Sequence, residues 1–207
     1  MRLSLLLVAV SFAGTGALAA QSASAPKSIA PLTRAELAQA FARAVPYGAF
    51  RAADTAYNAT WAAADARAIA SVAIALQEAP PPAGPWRLLV VAEHSCTDAL
   101  AALPYIARLV DQMPGSELRV LRRADGLPLI ETHLLDGHTA TPLVLVLDAD
   151  FVEHGVWLER ASHIQAFVTQ NTGKMSEEQL WARVRVMRRD DDGRTPLREM
   201  MALMRRP

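Results

Sequence analysis

The stretch Arg87-Leu-Leu-Val-Val-Ala-Glu-His-Ser-Cys-Thr-Asp-Ala-Leu-Ala-Ala-Leu-Pro104 decides the fold. A short apolar run, Leu88 to Ala92, reads as a buried strand. The chain then reaches its one cysteine, Cys96. Leu100, Leu103, Ala107 and Val110 follow at helical spacing. A strand thus feeds a cysteine at the start of a helix. The first helical turn has unpaired N–H groups and the positive end of the helix dipole, and both favour a thiolate. Reactive cysteines sit in such surroundings. The competing reading is a small buried residue that happens to be cysteine.

Outward from this stretch the pattern stays mixed. Glu117 to Leu121 is a second short strand, and Leu127 to Leu135 a short helix. Pro142 to Leu147 is a continuous apolar run suited to a central strand. Asp148-Ala149-Asp150 is a turn, and Val152, His154, Val156 and Leu158 alternate along a second strand, which predicts a hairpin. Ile164 to Val168 begins a helix. Ser176 and Gln179 cap the next, with Leu180, Val184 and Met187 on one stripe. Arg189 to Arg194 reads as a charged loop, and Leu197 to Met204 as a closing helix. The arginines from Arg183 to Arg206 alternate with acids and read as a solvated surface. The order β-α-β-α-β-β-α implies an α/β fold with a mixed sheet and helices on both faces.

Upstream of Pro80-Pro81-Pro82-Ala83-Gly84-Pro85, a strong breaker, the chain is helical. Thr33 and Glu36 form a capping box for a helix from Arg34 to Val45, ended by Pro46-Tyr47-Gly48. A second helix is expected from Asp54 to Gln77, with Tyr57, Trp61, Ile69, Val72 and Leu76 on its buried side. The N-terminus reads as an export signal: Arg2, the apolar run Leu3 to Ala13, and the small-x-small site Ala17-Leu18-Ala19. The expected organisation is a signal peptide (1–19), a flexible leader (20–31), a helical extension (32–79), an α/β core (86–168) and C-terminal helices (169–207). The expected location is periplasmic or secreted, with no stable membrane span after signal removal and no later segment able to cross a bilayer.

Composition narrows the function. The chain has 207 residues, 52% hydrophobic, with 21 basic and 21 acidic side chains, so no basic footprint points to nucleic acid. An exported protein with one cysteine has no internal disulfide, and its thiol is either inert by burial or open to intermolecular chemistry.

Residues 86–168 resemble thioredoxin-like domains. They look most like a bacterial subgroup with a helical N-terminal extension. Three features carry the likeness: the strand-Cys96-helix unit, Pro104 eight residues after the cysteine, and Thr141-Pro142 just before an apolar strand. The resemblance implies a cis bond at Thr141–Pro142, close to Cys96. It also implies catalysis by Cys96, with Thr141 and Pro142 binding substrate and protein or small-molecule thiols and disulfides as partners. No cofactor is expected. The departures are informative. The site reads Cys96-Thr97-Asp98-Ala99, so Ala99 stands where a second cysteine would be. Ser95 replaces the tryptophan, and Val90 the buried acid. A dithiol cycle needs a second thiolate to resolve the mixed disulfide, so the expected chemistry is monothiol exchange. The alternative is a binding module with a vestigial cysteine.

Three neighbours are expected to modulate the site. Ser95 is the expected N-cap, with Asp98 as its capping partner; the Asp98 charge would oppose a thiolate. His94, an exposed strand-end histidine, would favour one when protonated. His138, four residues before Pro142, faces the cysteine if the resemblance holds. Cys96, His94 and His138 together raise the further alternative of a zinc or copper site. His133, His154 and His163 read as incidental.

Overall fold

The computed structural model describes residues 30–206. The export signal and all but the end of the leader lie outside the described residues.

Thr33 opens the first helix, α1 (Arg34–Arg43), through the expected capping box with Glu36. Two short elements follow that the sequence did not announce: strand β1 (Val45–Pro46) and helix α2 (Tyr47–Ala52). The long helix α3 (Asn58–Glu78) starts later than expected. Strand β2 (Arg87–Ala92), helix α4 (Thr97–Val110), strand β3 (Glu117–Arg122) and helix α5 (Leu127–Thr132) come next. The hairpin β4 (Leu143–Leu147) and β5 (Glu153–Leu158) leads to α6 (Ser162–Asn171), α7 (Glu177–Asp191) and α8 (Arg194–Leu203). The sheet order is β1-β3-β2-β4-β5. Only β2 and β3 run parallel; the other pairs are antiparallel.

Side chains alternate across a strand, and the two cores follow from that rule. Leu88, Val90 and Ala92 of β2 join Val144 and Val146 of β4 on one face. There they meet Trp61 and Val72 of α3, Leu103 and Ile106 of α4, and Leu197 and Met200 of α8. Leu89 and Val91 point the other way, with Leu143, Leu145 and Leu147, onto Leu37 and Phe41 of α1 and Leu129 and Ile130 of α5. Strands buried on both faces need continuous apolar runs, which β2 and β4 have. Each such leucine contributes roughly 1.5–3 kcal/mol by leaving water.

Helix α3 buries Trp61, Ala64, Ala68, Ser71, Val72 and Ala75. Tyr57 and Ile69, expected inside, are 37% and 55% exposed. Helices α3 and α4 share one apolar cluster, and alanines on the buried stripe let their backbones approach closely, so the bulky Ile69 turns outward. Against expectation, α3 is long and apolar enough to cross a membrane by length and composition, with 21 residues and mean hydropathy 1.3. A core helix passes the same test, and its fully buried Trp61 packs in the main cluster.

The expected charged loop at 189–194 is mostly helix. Helix α7 runs on to Asp191, and only Asp192 and Gly193 separate it from α8. Both adopt left-handed backbone, with φ of 48° and 74°. A Cβ on Gly193 would stand 2.2 Å from the Tyr105 ring, so only glycine fits. The Asp192 carboxylate accepts hydrogen bonds from Ser71 Oγ (2.5 Å) and Tyr105 Oη (2.9 Å), which ties this turn to α3 and α4.

Candidate functional site

Strand β2 ends at Ala92, and three residues carry the chain to Cys96. The N-terminal helices hold this loop. Trp61 Nε1 donates to the His94 carbonyl (3.2 Å). The His94 ring stacks on Phe50, with centroids 4.1 Å apart and planes 12° from parallel. Its Nε2 lies 2.5 Å from the Phe50 carbonyl. A carbonyl only accepts, so Nε2 carries the proton. His94 is therefore 6% exposed and committed to Phe50, which corrects the expectation of a solvent-facing histidine. Glu93 anchors the other side of the loop by accepting from the Arg123 backbone N–H (3.1 Å).

Cys96 itself is the N-cap of α4, not Ser95. Its Sγ accepts from the Ala99 backbone N–H at 3.4 Å. Ser95 is exposed and leaves the cap to the residue after it. The sulfur is half-buried and lies 3.4 Å from the Thr141 carbonyl oxygen. The Thr141–Pro142 bond is cis. The loop before β4 thus presents its backbone to the sulfur, with Thr141 half-exposed and Pro142 buried. Ala99 is fully buried one helical turn from the sulfur.

Asp98 has a different task from the one its position suggested. It forms ion pairs with Arg160 (3.3 Å) and Arg188. Arg160 also pairs with Glu159, donates to Gln165 Oε1 (2.9 Å), and lies 5.6 Å from the centre of the Trp181 ring. The side chains of Asp98, Arg160 and Arg188 are 12%, 7% and 15% exposed. Arg188 is thus no solvated surface residue, as its sequence context suggested, and its Nε–H is buried without an acceptor among the described residues. Two guanidinium groups neutralise the carboxylate that was expected to oppose a thiolate. The cluster also fixes the cysteine-bearing helix to β5, α6 and α7.

Glu159 brings a second carboxylate close to the cis-proline. Its backbone is left-handed (φ 61°), and its N–H donates to the Pro142 carbonyl (2.8 Å). Burial pushes its carboxyl up from the ordinary range, against the pull of Arg160. Neither Glu159 nor Arg160 carried a local sequence signal; only the fold brings them to Asp98.

The remaining histidines divide. His138 is exposed in a turn closed by backbone hydrogen bonds with Leu135. With the His94 ring turned to Phe50, the trio of Cys96, His94 and His138 does not assemble. Among the described residues no group of three or more His, Cys, Asp or Glu side chains is placed to hold a metal ion. His133 and His154 are structural. Burial opposes charge on His133, but Glu153 and the Leu129 carbonyl outweigh it and hold the ring above its ordinary value. His154 meets the Arg206 carbonyl (3.0 Å) and packs edge-on against Trp86.

A family model described as thioredoxin matches residues 50–175. The match begins in α2, upstream of the 86–168 span over which the likeness was first visible. Two solved structures share the fold. One is a crystal structure of a protein of unknown function from Pseudomonas aeruginosa, with TM-score 0.62, 20% identity, and coverage of 84% of this chain and 98% of that one. The other is a crystal structure of an HIV epitope scaffold, with TM-score 0.59, 19% identity, and coverage of 81% and 96%. The comparison with curated proteins gave no match.

Proposed function

The chain belongs to the thioredoxin family, and from that premise we propose that it carries out monothiol thiol–disulfide exchange through Cys96. The observation that supports this reading most is the placement of Cys96 Sγ. It caps a helix N-terminus and faces the backbone of the cis-Thr141–Pro142 bond at 3.4 Å. The Cys96 thiolate attacks one sulfur of a substrate disulfide. A new S–S bond forms to Cys96, the old one breaks, and the second substrate sulfur leaves as a thiolate. Thr141 and Pro142 would support an extended substrate segment beside the sulfur. With Ala99 in place of a second cysteine, the adduct waits for an external thiol.

One feature favours the binding-module alternative. The sulfur already has a structural task, as the acceptor for the Ala99 N–H. Incubation with a small disulfide-bonded protein separates the two, with adducts read by mass spectrometry. A mixed disulfide on Cys96 that persists and is absent in Cys96→Ser supports exchange. Absence of any adduct on the folded parent turns the reading to the binding module.

Export belongs to the same proposal, motivated by Arg2, Leu3–Ala13 and Ala17–Ala19. The mature chain is expected to start near Ala20, in the periplasm or outside the cell. N-terminal sequencing from the native host checks this; an intact Met1 in the cytosol contradicts it.

A further inference from the structure

Helices α3, α4 and α7 enclose a groove of about 520 Å³ beside the cysteine. Thr97, the residue after Cys96, lines it, and so does Tyr105 further along α4. Arg67 of α3 and Arg185, Arg188 and Arg189 of α7 line it with one carboxylate, Asp192. That carboxylate is engaged by Ser71 and Tyr105. Arg188 is engaged by Asp98, and the Arg189 Nε lies 3.4 Å from Asp190. Arg67 and Arg185 differ from these. Both are exposed, and among the described residues neither forms an ion pair with a carboxylate.

The chain as a whole is neutral, with 21 basic and 21 acidic side chains, so a groove with two uncompensated guanidinium groups reflects local placement. Guanidinium is planar and offers a fork of N–H donors that matches a carboxylate. The volume falls in the range of small-molecule sites. The ligand implied is small and anionic, with one end next to the residue that follows the thiol.

We propose that this groove binds a small thiol bearing carboxylates, and that this thiol is the one that frees Cys96. The proposal rests on the monothiol reading. In the mixed disulfide, Cys96 Sγ is bonded to a substrate sulfur. The small thiolate attacks Sγ, a new S–S bond forms to it, and the substrate leaves as a thiolate that takes a proton from water. A second molecule of the small thiol, as thiolate, attacks the sulfur of the first. A small disulfide departs and Cys96 returns as a thiolate. Over the cycle one substrate disulfide is reduced and two small thiols are oxidised.

The test starts from the full chain carrying an uncharged hydroxyethyl mixed disulfide on Cys96. Release is timed with N-acetylcysteine and with its amide, which lacks the carboxylate, and rates are compared per thiolate. N-acetylcysteine is expected to act about fivefold faster, the scale of two partly exposed ion pairs. The preference should vanish in the Arg67→Gln/Arg185→Gln variant and fade at high salt. Equal release by the two probes from the parent overturns this inference and leaves monothiol exchange standing. Failure to form any adduct on the folded parent overturns both.

Discussion

Ala99→Cys is expected to turn a protein that traps disulfides into one that cycles them. Position 99 lies one turn into α4, and its backbone N–H already contacts Cys96 Sγ at 3.4 Å. Residues three apart at a helix start have the Cα separation that a disulfide needs. The new thiol would attack the mixed disulfide at Sγ, release reduced substrate and close a bridge within the chain. Turnover on a small protein disulfide, with an external dithiol supplied, should rise by roughly an order of magnitude or more over the parent, because resolution no longer waits for a second molecule. Ala99 is fully buried, so the added sulfur costs about 1–3 kcal/mol of packing strain, and the variant should remain folded at room temperature. Adding Cys96→Ser to the same variant should remove the gain. If oxidation of the folded variant gives no internal disulfide, the two positions do not face each other as the structure places them.

Asp98→Ala is expected to cost about 3 kcal/mol of stability, because it strands buried arginines. Arg160 keeps Glu159 and Gln165, but Arg188 loses the one carboxylate it pairs with among the described residues. Adding Arg188→Leu to Asp98→Ala should recover part of the loss, since the second change removes the unpaired charge. Urea unfolding of the single variants and the double variant measures this. A loss below about 1 kcal/mol for Asp98→Ala, with simple additivity in the double variant, would mean the cluster behaves as a surface ion pair.

Much of the fold was legible because the signals were local. Leu88–Ala92 and Leu143–Leu147 are continuous apolar runs, and both are central strands. The pairs Thr33 with Glu36 and Ser176 with Gln179 are capping boxes in the structure. The cis bond at Thr141–Pro142 followed from the resemblance, as did its closeness to Cys96. The failures share a cause as well. His94 is buried because Phe50, 44 residues earlier, reaches back to cover it. Arg160 stands 62 residues from Asp98, and nothing near it in the chain separates it from a surface arginine. Strand β1 is two residues long, too short for any periodicity to show. Ser95 outranks cysteine as an N-cap by intrinsic preference, yet the cap falls on Cys96. There the loop held by Trp61 and Glu93 delivers the sulfur to the Ala99 N–H.

The central claim is that Cys96 is a working thiol rather than a buried remnant. Titration of the folded native chain with a small disulfide reagent near neutral pH tests it most directly, against the same chain unfolded in denaturant. The account predicts that one equivalent reacts in the folded protein, at a rate equal to or above that of the unfolded chain, and that the adduct persists until a thiol is added. A thiol that stays silent in the folded state and appears only on unfolding would contradict it.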